Sequence, residues 1–279
     1  ADGRFEALDQ PGIAAGNQFG RSVAIAQNFG AMGETAVLVG AHSNGVLPNR
    51  VRAGSAWIYL EDQNEAAGYS EGFHLVDHIG QSTSDFFGFS AKSGDFNGDG
   101  LGDIVVGASG AERPVGDLTE GLAGHDECPR DSASGVSYIY LGGQGAEEMM
   151  IPDVIYTGQQ TNSAETVIAL ADMNGDGFDE LITGGSKSDR PIRDTGLVRV
   201  ILGRAADDVQ GPQIICDPVL SIQGRARSEA LGISGANLGD LNGDGCEEVV
   251  LGAPSTGSGI ARILFGWGGP GCPVSPRVV

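Results

Sequence analysis

Apolar and polar positions group into short runs rich in Val, Ile, Tyr and Phe, each bounded by glycine or polar turns, and few long helical patterns interrupt them. The first set reads as strand 1 near 19–26, strand 2 at 36–41, strand 3 at 54–60 and strand 4 at 73–79. Strand 3 recurs at 135–141, 196–202 and 259–265, always opening on glycine, and fourth strands follow at 154–157 and 214–222. The chain is therefore all-β and built from four copies of one unit.

The most informative stretch is GDFNGDGLGDIVVGAS at 94–109. Asp95, Asn97, Asp99 and Asp103 stand at positions 1, 3, 5 and 9 of a loop in which Gly98 and Gly100 permit tight turns, with the carbonyl of Leu101 available at position 7. Oxygen ligands at alternate positions suit calcium, which takes roughly six to eight oxygens. The opening resembles an EF-hand loop but runs straight into Ile104-Val105-Val106, so a strand follows where a helix would be needed. The unit returns as DMNGDGFDELITGG and DLNGDGCEEVVLGAP. The equivalent ligands are Asp172, Asn174, Asp176, Phe178 (carbonyl) and Glu180, then Asp240, Asn242, Asp244, Cys246 (carbonyl) and Glu248. Three matching loops predict about three bound Ca²⁺ ions. An upstream copy, NFGAMGETAVLVGA from Asn28, keeps the strand without the carboxylates, and no calcium is expected there.

The Phe19-Gly20 and Phe87-Gly88 pairs, the acidic loops, and the strand ends at 39–41, 106–108 and 251–253 resemble FG-GAP repeats, those of the integrin alpha-subunit head. The resemblance covers nearly the whole chain. It departs at Ala164-Glu165, where Phe-Gly is expected, and in having four repeats against seven. It implies a β-propeller of four blades, each of four antiparallel strands. The blades would span about 18–80, 86–158, 163–223 and 230–268, followed by a tail at 269–279. After the fourth repeat no strand 4 is evident, whereas Phe5 precedes Phe19 by the interval that separates Phe73 from Phe87. The expectation is that an N-terminal strand at 4–10 completes the last blade and closes the ring. A piece of a larger propeller is the alternative.

A net charge of −21 argues against nucleic acid and anionic membranes as partners, and three Ca²⁺ ions would bring it only to about −15. No apolar window is long enough to span a bilayer. The chain opens at Ala1-Asp2-Gly3 without Met or signal peptide, read here as a mature secreted product, although a piece cut from a longer chain would look the same. Cys128, Cys216, Cys246 and Cys272 are an even set consistent with an oxidising compartment: extracellular, or periplasm or cell surface in a bacterium. Cys246 and Cys272 belong to one blade and form the favoured bridge. Cys128 with Cys216 follows by elimination, with free thiols the open alternative.

By analogy with the family the acidic loops share a lower face, and the strand 2 to 3 loops lie on the upper one. The latter carry Arg50, Arg52, Arg113, Arg130, Lys187, Arg190 and Arg193, with Arg225 and Arg227 nearby, a candidate partner-binding face or simply a solvated rim. No catalytic residues are expected. His74 and His78 lack a third ligand, no G-x-S-x-G elbow appears, and the acidic pairs are committed to cations. The expected role is a secreted, calcium-stabilised, non-catalytic module for protein binding, adhesion or assembly, its partner another protein or a surface glycan, and the chain a possible subunit of a larger extracellular assembly. The alternatives are a carbohydrate-binding lectin and an accessory domain of an extracellular enzyme.

Overall fold

The computed structural model describes residues 16–44, 52–62, 68–69, 73–75, 83–112, 128, 134–144, 151–160, 163–188, 194–205, 208–209, 212–254 and 258–279. Among them are eighteen strands in four sheets and no α-helix. Sheet 1 runs β1 (Ser22–Ala26), β2 (Ala36–Gly40) and β3 (Ala56–Asp62), with β4 (Gly68–Tyr69) and β5 (Phe73–Leu75) both on β3. Sheet 2 runs β6 (Phe87–Gly94), β7 (Asp103–Ala108), β8 (Val136–Tyr140) and β9 (Val154–Thr157). Sheet 3 holds β10 (Thr166–Ala171), β11 (Glu180–Gly184), β12 (Leu197–Ile201) and β14 (Leu220–Gln223). Sheet 4 holds β15 (Ser234–Gly239), β16 (Glu248–Ala253), β17 (Ile260–Phe265) and β18 (Arg277–Val278).

The sheets stack in chain order through their leading strands, β1 against β6, β6 against β10 and β10 against β15. Strands of sheets 2 and 3 are therefore covered on both faces, and β7, β8, β10, β11 and β12 are buried throughout. Strands buried on both faces read as continuous apolar runs, as Ile104-Val105-Val106 does, and β12 keeps to this apart from its buried Arg199. Alternate residues serve alternate neighbours: Ile104 and Val106 pack toward sheet 1, whereas Val105 packs toward sheet 3. Glycine lets adjacent sheets close up. A side chain on Gly184 would run into the backbone of Gly232 in the next sheet, as one on Gly40 would into Gly88.

Three expectations are corrected. The strand expected at 214–222 is two strands, because Pro218 interrupts the run: β13 (Gln213–Ile215) crosses to pair in parallel with β9 of sheet 2, and only β14 pairs with β12. The edge of β17 reserved for 4–10 is occupied at Leu264 and Phe265 by β18, so the C-terminal segment belongs to sheet 4 and is no free tail. The residues 4–10 themselves lie outside the described ones. Nor, among the described residues, do the four sheets close on each other: no contact comparable to the other three joins β15 to β1.

Both disulfides are present. Cys246–Cys272 fastens the loop before β16 to the segment after β17, with Cα atoms 5.9 Å apart. Cys128–Cys216, with Cα atoms 5.7 Å apart, forms where β13 has crossed to sheet 2.

Candidate cation loops and the face they share

Each acidic loop connects the first two strands of its sheet, and the three fold by closely similar bonds. In the first, Asp95 accepts the N–H groups of Asp99 (3.1 Å) and Gly100 (2.8 Å), and Asp99 accepts that of Leu101 (2.8 Å). In the second, Asp172 accepts from Gly175, Asp176 and Gly177 at 2.7 to 3.1 Å, and Asp176 accepts from Phe178 at 3.0 Å. In the third, Asp240 accepts from Gly243, Asp244 and Gly245 at 2.7 to 3.1 Å, and Asp244 accepts from Cys246 at 3.0 Å. Asn97, Asn174 and Asn242 each accept the N–H two residues on. Short polar side chains that bond backbone two residues ahead set the turn, and the glycines at positions 4 and 6 supply its positive φ.

Position 9 closes each loop from inside. Asp103 accepts Phe96 N–H at 2.7 Å and Gly142 N–H at 2.8 Å, Glu180 accepts Met173 N–H at 2.9 Å, and Glu248 accepts Leu241 N–H at 2.8 Å. All three are buried. Burial, with the charges of Asp99 and Asp95 added, raises Asp103 to about 7 against the pull of its backbone donors. Burial and the neighbouring Asp176 and Asp172 raise Glu180 to about 8. At the exposed end of the third loop the backbone donors, Gly245 first, hold Asp240 below its ordinary value.

The donor set fits a hard divalent cation: oxygens only, three carboxylates per loop, and a buried acid whose charge nothing in its own loop offsets. The acids are engaged by backbone, however. Among the described residues no loop brings its three carboxylates within 4.8 Å of one another. Asp244 does lie within that distance of Cys246 and Cys272, but those sulfurs are joined to each other.

Two residues not picked out from the sequence link the loops. Asp179, at position 8 of the second loop, accepts Asp95 N–H at 2.8 Å, and its own N–H donates to the Asp95 carbonyl at 2.8 Å. Glu247, at position 8 of the third, accepts Asp172 N–H at 3.0 Å while its N–H bonds the Asp172 carbonyl at 2.9 Å. Position 8 of one loop thus grips position 1 of the loop before it. The signal was the acidic pairs Asp179-Glu180 and Glu247-Glu248, where the first loop has Gly102 at position 8.

Beside the second loop lies an open cleft of about 610 Å³, floored by Asn174, Asp176 and Glu180 and walled by Leu202, Val219, Trp267 and Pro270. Of the upper-face cations, Arg52 and Lys187 are exposed, as are Arg225 and Arg227. Arg50, Arg113, Arg130, Arg190 and Arg193 lie outside the described residues, as does His78.

The stacked sheets of four or five strands, with acidic loops repeated in three of them, define a β-repeat protein. Residues 87–117 match the FG-GAP repeat family model, and the repeats are similar to those of integrin alpha subunits. Integrin alpha pat-2 of Caenorhabditis elegans is 30% identical over 71% of this chain and 14% of its own length. Integrin alpha-5 of Xenopus laevis is 28% identical over 64% of this chain and 15% of its own length. A phosphatidylinositol-glycan-specific phospholipase D of Dictyostelium discoideum is 27% identical over 68% of this chain and 20% of its own length. Among solved structures, an exotype rhamnogalacturonan lyase covers 87% of this chain and is itself covered over 44%, at 10% identity and a TM-score of 0.45. The chain thus spans a fifth or less of these curated relatives.

Proposed function

We propose that the chain is a set of propeller blades serving as a non-catalytic, extracellular module for protein binding or assembly, with calcium in the loops at 95–103, 172–180 and 240–248. The observation that carries this reading is the shared turn of the three loops, each set by its position 1, 3 and 5 side chains and joined to the next by Asp179 and Glu247. The similarity to integrin alpha subunits supports a protein partner. Two disulfides fit an oxidising compartment, and among the described residues no helix is long and apolar enough to cross a membrane.

In this reading Asp95, Asn97, Asp99, the Leu101 carbonyl and Asp103 would hold the first ion, and the equivalent sets would hold the second and third. Calcium supplies positive charge that offsets the carboxylates. The chain's own residues set the turns and relay order from loop to loop. Calorimetric titration of chelator-treated protein tests it: about three sites per chain are expected, and heat no greater than in a buffer blank would refute it.

A second reading is favoured by the cleft, because an aromatic wall beside acidic and amide groups is how sugars are held. Saturable binding on a glycan panel that Trp267→Ala abolishes would make the protein a lectin.

A further inference from the structure

Each of the first three sheets hands the next a trailing face built to one plan. On sheet 1 that face is Leu38, Ala56 and Ile58, on sheet 2 Val105 and Ile139, and on sheet 3 Ile182, Val198 and Val200, all with no exposed surface. Two glycines per sheet let the next sheet's leading edge approach. Gly40, Gly107 and Gly184 face Gly88, Thr166 and Gly232, and the backbones of Phe87, Glu165 and Leu231 lie against Gly54, Gly135 and Gly196.

Sheet 4 repeats the whole arrangement and leaves it open. Val250 and Ile263 are half-buried and Ala261 is exposed, where their counterparts in the earlier sheets are buried. Gly252 and Gly259 are retained at the two approach positions. Among the described residues, their nearest neighbours are only Ser234 and Pro254 of their own sheet. At the opposite end the matching edge has no partner among the described residues: Gly20 has nothing within 4 Å of its Cβ position, and Val23 and Ile25 on β1 are 65% and 61% exposed. Gly20 is the counterpart of Gly88 and Gly232, and Ser22 of Ser90.

We propose that the trailing face of sheet 4 receives the leading edge of sheet 1 from a second copy of this chain. Gly252 would face Gly20 as Gly40 faces Gly88 and Gly184 faces Gly232. Such a head-to-tail contact is heterologous, so two copies form a ring if the rotation closes and a chain of copies if it does not. The inference deepens the assembly reading and needs no ion in the loops.

Native mass spectrometry with calcium present, over a range of protein concentrations, tests it and counts ions per chain in the same spectra, so failure of the calcium reading is seen separately. The wild type is expected as a dimer or larger assembly. Gly252→Val places its Cβ against Ser234 Oγ, a hydroxyl that must rotate away, with the Ser234 backbone in ordinary contact, and should give a monomer. Val23→Asp with Ile25→Asp should do the same from the other side. Mixing the two variants leaves one intact surface on each, so heterodimers should form although neither variant self-associates. A wild type monomeric at every concentration, variants that assemble as it does, or a mixture that stays monomeric beside an assembling wild type would each overturn the proposal.

Discussion

Glu165 and Arg199 form a buried ion pair in the place that Phe87 and Tyr138 fill in the preceding sheet. Both Phe87 and Glu165 lie against the glycine that opens the third strand of the sheet before, and Tyr138 and Arg199 each stand three residues after such a glycine. Tyr156 and Ser163 also donate to Glu165. Sheet 1 has Phe19 and Trp57 here, 5.3 Å apart, and sheet 4 has Leu231, with Arg262 paired instead to Glu229. An aromatic contact and an ion pair are alternative fillings of one junction.

Removing one partner leaves a buried charge alone. Glu165→Ala should cost about 3 to 5 kcal/mol, whereas Glu165→Phe with Arg199→Tyr should recover most of that loss, because an apolar filling carries no desolvation cost. Urea denaturation of the single and double variants measures both. A double variant no more stable than Glu165→Ala would show that the two junctions are not interchangeable.

Chelation should lower the melting temperature. An ion that binds only the folded chain stabilises it by about 2.7 kcal/mol per site at a hundredfold excess over its Kd. Asp95→Ala should remove one ion from the count and weaken the response to calcium. A melting temperature indifferent to both chelator and calcium would leave the loops as self-sufficient turns.

The links between loops should matter with or without an ion. Asp179→Ala strips the acceptor from Asp95 N–H and should cost about 1 to 3 kcal/mol, with Asp179→Asn milder because an oxygen remains. Glu247→Ala should act likewise on Asp172. Hydrogen exchange at the Asp95 and Asp172 amides reads the effect locally.

His42 should make the protein acid-sensitive. Burial first, then the charges of Arg21 and Arg52, lower its pKa from 6.5, and its Nδ1 has no hydrogen-bond partner. The folded chain therefore binds fewer protons than the unfolded one below about pH 6.5, so stability is full above that pH and falls as the solution is acidified, by at most about 1.4 kcal/mol per pH unit for one group. His42→Phe, set beside Phe86 and Phe89, should flatten the melting temperature between pH 5 and 7. An unaltered slope would assign the acid response to other groups.

The strands and loops were legible because their signals are local. Ile104-Val105-Val106 is a β-rich run between glycines, and the spacing of Asp95, Asn97 and Asp99 sets a turn that depends on its neighbours alone. What was not legible depends on partners distant in sequence. Ala164-Glu165 read as a lapse from Phe-Gly because its compensation, Arg199, lies 34 residues on. The β18 pairing rests on two residues with no apolar pattern, Arg277 and Val278, so the more strand-like segment at 4–10 was preferred. Pro218 marked a break within 214–222, but nothing in the sequence near it says that the first half would pair with β9.

That crossing strand has a consequence for how such a protein can be altered by inheritance. Because β13 is encoded with the third unit yet completes the second sheet, and Cys216 behind it is bonded to Cys128, these two units cannot be shuffled, duplicated or lost one at a time. A gene copying error that inserted a unit between them would leave β9 with an unpaired edge and two cysteines apart. The array can gain units on either side of this pair, and its second and third members travel as a single heritable block.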